Sequence, residues 1–272
     1  MRRKNPRRKP LKKTRKKKYN GGIPWLSNKQ MKKLRPFFPK SRGKPRVDDQ
    51  RVLSGILYVQ QVGCRWQDAL PIYGPYKTLY SRWVRWSRND WFTETMRKLA
   101  SRSKQLHIIM IDATHIKVHR TATSFRANAG ELGRFIGKTK GGWNTKLHAI
   151  CDGEGRIIDI YLTGGNANDF KGAEVLLKNL PKRVKYFLGD KGYDGNWVRN
   201  FLKSLGITPC IPGKKNRIKK IRYNKKLYKE RNKIERAFCK IKDWRRLAMR
   251  YDRCPEMFMS TCAFAVMVKF WL

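Results

Sequence analysis

Apolar positions along this chain recur with helical spacing before about residue 104, and after it in a mixture of alternating and helical runs. Ser27 with Gln30 three residues later forms a capping box and predicts a helix through Leu34, ended near Pro36. Asp48 and Asp49 predict the cap of a second helix, in which Val52, Leu53, Ile56 and Leu57 share a face up to Gly63. A turn at Gly74-Pro75 precedes a third. There Tyr76, Leu79, Tyr80, Trp83 and Trp86 take one face, and Lys77, Ser81, Arg82, Arg85 and Arg88 the other.

The second part reads differently. LHIIMIDATHIKVH starts as a continuous apolar run and then alternates, as a buried strand does. TKLHAICD and IIDIYLT predict two more strands joined at Gly153-Glu154-Gly155. Residues 169–180 predict a helix, VKYFLG a strand, residues 196–205 a helix and ITPCI a short strand. A basic insert at 213–226 follows, then a helix over YKERNKIERAFCKIKDW, residues 228–244. Three strands followed by α-β-α-β-α predict an α/β fold, a mixed sheet flanked by helices. The apolar run at 257–272 is broken by Lys269 and short for a membrane span, so it predicts a core helix or strand, with a tail anchor as the lesser alternative. The expected organisation is a disordered basic arm at 1–22, a helical region at 23–104 and a sheet domain at 105–272.

Charge changes the picture most. Among 272 residues, 65 are Lys or Arg and 19 are Asp or Glu, a formal net charge of +46. An excess of that size, spread along the chain, calls for a polyanionic partner, with nucleic acid foremost and no membrane expected. The third helix fits a helix-turn-helix-like DNA reader through Lys77, Arg82, Arg85 and Arg88, although a merely solvated basic face has the same pattern. Six cysteines at 64, 151, 210, 239, 254 and 262 form no C-x-x-C pair. That spacing argues against both a disulfide framework and a Cys-based zinc finger and suits a reducing, cytoplasmic compartment. No secretory signal is visible after the basic N-terminus.

Three acids stand out against this background. Asp112 lies inside the apolar run of the first strand, where a carboxylate without a partner is costly. Asp190 ends the fourth strand, and Glu235 sits near the middle of the basic helix. On a helical wheel with Tyr228 at zero, Arg231, Glu235 and Lys242 fall at roughly −60°, −20° and −40°, a narrow polar stripe beside an apolar face of Leu227, Ile234, Phe238 and Ile241. Three hard oxygen ligands at a strand edge suit Mg²⁺, and two such ions offset the repulsion between carboxylates and a phosphodiester. Tyr228, Arg231 and Lys242 would then grip phosphates. Each residue has a plainer explanation: Asp190 as a turn former, Glu235 as an i,i+4 partner of Arg231. Asp194 reads as a helix cap, and His115 and His119 as structural.

IDATHIK, TKGGWNTKLHAICDGEGRIIDIYLTGGNANDF, LGDKGYD and the spacing Tyr228-x2-Arg231-x3-Glu235-x6-Lys242 together resemble bacterial insertion-sequence transposases of the DDE class, in the insertion-sequence-five branch. The resemblance extends over nearly everything after residue 22. It implies an RNase H-like catalytic domain and an Asp-Asp-Glu triad falling on Asp112, Asp190 and Glu235. It also implies two Mg²⁺ ions with Mn²⁺ as a substitute, and the Tyr-Arg-Glu-Lys signature on the stripe described above. The segment from Pro24 to Trp86, with Gly43 to Asp49 and GCRWQD, resembles the helical DNA-binding domain that reads terminal inverted repeats. The implied partners are element-end and target DNA, with a homodimer in the synaptic complex, in a bacterial cytoplasm at the nucleoid.

Overall fold

The computed structural model of the chain describes residues 22–39, 48–123 and 134–272. The expected basic arm, except its last residue, and residues 43–47 lie outside the described residues. Four helices come first: α1 (Asn28–Leu34), α2 (Asp49–Val62), α3 (Tyr76–Arg88) and α4 (Trp91–Ala100). The caps are those the sequence predicts. Ser27 N–H donates to Gln30 Oε1 at 2.8 Å and Gln30 N–H to Ser27 Oγ at 3.2 Å, while Asp48 accepts from the N–H groups of Gln50 and Arg51. Gly63 ends α2 at φ +79°, the left-handed conformation that suits glycine. α4 was not predicted. Its only punctuation is Asn89-Asp90, Asp90 stands at φ +49°, and no side chain caps the helix.

The sheet follows, with β1 (Ile108–Val118), β2 (Gly137–Thr139), β3 (Gly142–Cys151), β4 (Ile157–Gly164), β5 (Tyr186–Leu188), β6 (Thr208–Cys210) and β7 (Met249–Arg250). Between and around these strands lie α5 (Arg120–Thr123), α6 (Asp169–Leu177), α7 (Asn196–Ser204), α8 (Lys225–Tyr228), α9 (Asn232–Lys242), α10 (Arg245–Ala248) and α11 (Pro255–Val266). β3 runs antiparallel to β1 and β4 antiparallel to β3, whereas β5 and β6 are parallel to β1. The order β4-β3-β1-β5-β6 is that of an RNase H-like core. β2 and β7 add to the five expected strands. The Thr139–Gly142 segment is the tip of the β2–β3 hairpin, where Thr139 pairs with Gly142.

Alternation along β1 assigns its faces. Ile109 and Ile111 enter one core with α6 and α7 residues such as Ala173, Val198 and Leu202. Met110 and Ile116 enter another, shared with Trp83, Phe92, Ile234, Phe238 and Phe264. Asp112 and Thr114 have the parity of this second face. The apolar run at 257–272 is a helix, α11, continued by a π turn over Met267–Trp271. Phe264 of α11, fully buried, meets Phe92 of α4 at 5.2 Å and Trp244 at 5.4 Å between ring centroids. The N-terminal helices and the sheet thus share one apolar core.

Candidate active site

β1 has an open stretch where Asp112 lies. Its outer edge carries β5 beside residues 108–110 and β7 beside residues 117–118. Between them that edge has no strand neighbour among the described residues, and α9 packs against β1 there. The parallel register pairs Met110 with Leu188. β5 ends at Leu188, and Asp190, two residues on, lies near enough for its charge to act on Asp112. Gly189 permits the approach, because a Cβ there would stand 3.2 Å from Ile111 Cγ2 and 3.3 Å from Tyr193 Cβ. Asp190 also forms the expected turn: its Oδ1 accepts from Gly192 N–H at 2.9 Å and opens a 3-10 turn over Lys191–Tyr193.

The third acid arrives from the C-terminal side. The continuous helix expected over 228–244 is divided into α8, a 3-10 turn at Lys229–Arg231, and α9. Tyr228, Arg231 and Asn232 all keep right-handed helical backbone, so the turn tightens without changing direction and the polar stripe survives. Ile234, Phe238 and Ile241 are buried beneath it as expected, and Leu227 partly so. Arg231 Nη1 donates to Asp112 Oδ2 at 3.0 Å, and its Nη2 donates to Glu235 Oε1. The same guanidinium lies 5.8 Å from the centroid of the Tyr228 ring. Lys242 Nζ donates to Thr114 Oγ1 at 2.6 Å and to the His115 carbonyl at 3.2 Å, along the open edge of β1. All four stripe residues therefore face β1 or one another.

Electrostatics follow from this crowding. Burial raises the Asp112 carboxyl from its ordinary value of 3.8 to about 6; Asp190 and Glu235 add to the rise, while the Ala113 N–H and Arg231 oppose it. Burial likewise raises the Tyr228 phenol and lowers the Lys242 ammonium. Among the described residues no three carboxylate, imidazole or thiol groups stand close enough to hold a metal ion between them; Arg231 is bonded to both Asp112 and Glu235. The donor set nonetheless fits a hard divalent cation. It consists of carboxylate oxygens, and one of them belongs to a buried acid whose ionisation a nearby cation would relieve.

Two residues given no chemical role from sequence belong to this neighbourhood. The Tyr193 hydroxyl is buried without a hydrogen-bond partner among the described residues. Burial, with Asp169, Asp112 and Asp190 nearby, holds the phenol well above its usual range. Asp169 Oδ2 lies 3.4 Å from where a Cβ on Gly192 would stand, and its Oδ1 accepts from the buried Lys146 at 3.0 Å. Asp169 stood in the NANDF stretch and Tyr193 in LGDKGYD, so the motifs contained them but spacing gave them no role.

Other candidates lie elsewhere. Arg82 of α3 is ion-paired to Asp49 at 2.7 Å and lies 5.1 Å over Trp86, whereas Lys77, Arg85 and Arg88 are exposed. Tyr80, Arg85 and Arg88 border an open cleft of about 380 Å³. His115 Nε2 lies 3.0 Å from the Gly165 carbonyl, and His119, just past β1, packs against Tyr251 with ring centroids 4.6 Å apart and planes tilted by 34°. Asp194 does not cap α7, whose N-cap is Gly195 with no side-chain bond. It is instead buried between Arg199 and Arg217, a tertiary partnership that local spacing does not encode.

A family model described as "Transposase DDE domain" matches residues 103–259, and one described as "Putative transposase of IS4/5 family" matches residues 26–96. The "Putative transposase for insertion sequence element IS6501" of Brucella ovis is 37% identical over 117 residues, 43% of this chain and 89% of that protein. The "Putative transposase for insertion sequence element IS402" of Burkholderia cepacia is 28% identical over 123 residues, 42% of this chain and 56% of its own length. Among solved structures, the catalytic core domain of BIV integrase overlaps 60% of this chain and 82% of its own at 17% identity, with a TM-score of 0.36. No helix among the described residues is long and apolar enough to cross a membrane. With the DDE domain match running through more than half of its length, the chain belongs to the DDE transposases, of the IS4/IS5 type.

Proposed function

We propose that this chain cleaves DNA at the ends of its own insertion sequence and joins the freed 3′-hydroxyl strand to target DNA. The observation that carries this reading is that one guanidinium on the open edge of β1, that of Arg231, bonds both Asp112 and Glu235 and feels the charge of Asp190, three acids from distant parts of the sequence. These acids would hold two Mg²⁺ ions, or Mn²⁺ in their place. When bound, such ions activate the attacking oxygen and neutralise the leaving one. Arg231 is bound to carboxylates in the free chain, and its planar fork of donors suits a DNA phosphate once those carboxylates have another counter-charge. Lys242 and Tyr228 on the same stripe would orient the strand for in-line attack. The exposed Lys77, Arg85 and Arg88 of α3 support recognition of the element ends by a helical domain over 23–104, with chemistry in 105–272; Arg82, already paired to Asp49, would add packing more than contact. A homodimer would bring two ends together.

The test uses purified protein, labelled element-end DNA, a target plasmid and Mg²⁺. Joined product supports the full reading, whereas nicking alone reduces the chain to a nuclease. Salt-sensitive binding without either leaves a DNA-binding protein with no chemistry. Asp112→Asn is expected to abolish cleavage and leave end binding intact; cleavage by that variant overturns the assignment of Asp112.

A further inference from the structure

Beside Asp190 the surface opens into a cleft of about 420 Å³ bordered by Lys191, Gly192, Lys214, Lys215 and Asn216. Its basic side is held in place by a buried acid. The Asp194 carboxylate is sealed from solvent and accepts from Arg199 Nε at 2.8 Å, Arg217 Nε at 2.6 Å and the Lys214 N–H at 2.7 Å. Arg199 reaches on to the Ile211 carbonyl at 2.7 Å, and Arg217 to Asn196 Oδ1 at 2.9 Å. Burial alone would raise the Asp194 carboxyl, yet these donors hold it at about 2. A buried ion-pair cluster gains little net stability, because desolvation offsets its attraction, but it fixes geometry. What this one fixes is the segment from Ile211 to Arg217 against the turn that follows Asp190. Lys214 is further steadied by its ammonium, 5.2 Å from the Phe170 ring centroid. Lys191 and Lys215 are exposed and make no ion pair among the described residues.

Three lysines beside Asp190, none of them ion-paired among the described residues, have the chemistry of a phosphate track. We propose that Lys191, Lys214 and Lys215 form a phosphodiester-binding cleft next to Asp190, separate from the Tyr228–Arg231–Lys242 stripe, that holds the DNA backbone adjoining the reacting phosphate. This rests on the transposase reading above for its purpose, though not for its chemistry. The backbone can belong to the element end or to the target duplex.

The full chain and its Lys214→Gln/Lys215→Gln variant are titrated with each duplex in chelator, where neither cleavage nor joining occurs, over ~50 to ~200 mM salt. The slope of log K against log salt is expected to fall in magnitude by roughly 1–2 for the duplex that occupies the cleft, and Lys214→Arg/Lys215→Arg to restore it. Loss on the end duplex alone assigns the cleft to the element, and loss on the unrelated duplex alone assigns it to the target. An unchanged slope on both duplexes, with an unaltered melting temperature, overturns the proposal. Failure of the transposase reading is distinct, since it shows as wild-type binding without joined product in Mg²⁺.

Discussion

Arg231 donates to Asp112 at 3.0 Å across 119 positions of sequence, and the same guanidinium also bonds Glu235. The free chain thus meets the repulsion among its acids with a cation of its own. Replacing Arg231 by Ala is expected to destabilise the fold by about 1–3 kcal/mol, because a partly buried carboxylate loses its partner. The loss is expected to be larger at pH 8 than at pH 5, and urea midpoints at the two values measure it. Millimolar Mg²⁺ is expected to restore more stability to the variant than it adds to the wild type, since binding to the folded state raises stability and no guanidinium competes. Equal Mg²⁺ increments in the two proteins would contradict a competing role for Arg231.

Asp112→Asn is expected to stabilise the metal-free protein while removing its chemistry. Between pH 3.8 and about 6 the folded chain keeps a proton on Asp112 that the unfolded chain has released. Stability therefore falls as pH rises through that window, and the penalty, at most about 3 kcal/mol, is complete above it. The Asn variant should exceed the wild type by up to that amount at pH 8 and match it near pH 4, read from urea unfolding in chelator. A variant less stable than the wild type at pH 8 would refute this.

His148 acts in the opposite sense. Burial lowers its imidazole from 6.5 to about 4; Nε2 shares a 2.8 Å bond with Thr163 Oγ1, and Nδ1 has no partner among the described residues. Its contribution is present above pH 6.5 and is lost as pH falls toward 4, at most about 3 kcal/mol. His148→Asn should flatten the acid side of the stability profile, whatever it costs in packing. Gly172→Ala should destabilise by about 1–3 kcal/mol, because its Cβ would stand 2.2 Å from Nδ1. A wild-type acid slope in His148→Asn would show that the imidazole does not govern it.

Phe264 links α11 with α4 and Trp244, so Phe264→Ala should cost about 3–5 kcal/mol. Because both regions share that core, unfolding should remain one transition. Tryptophan fluorescence, weighted toward Trp83, Trp86 and Trp91 in the helices, should coincide with far-UV circular dichroism. Two separated transitions would contradict the shared core.

Much of the fold was legible because its signals are local. The Ser27 box, the Asp48 cap, Gly63 and the alternation of β1 depend on neighbours within a few residues, and each marks an element where it was expected. Elements without such signals were missed: α4 follows a left-handed Asp90 with no cap, and β2 and β7 are too short for a period to show. Asp194 was misread because two of its partners, Arg199 and Arg217, lie 5 and 23 residues away and its burial comes from packing.

Periodicity and punctuation marked the elements that carry local signals, and the parity of β1 puts Asp112 on the face of Met110 and Ile116. Those are properties of a few neighbouring dihedrals and side chains. The nearness of Asp190 to Asp112, the gap between β5 and β7, and Arg231 lodged against two acids arise from folding. Each requires strands from distant parts of the chain to choose a register and an edge. Burial against partners remote in sequence sets that choice, and no window of local pattern contains it.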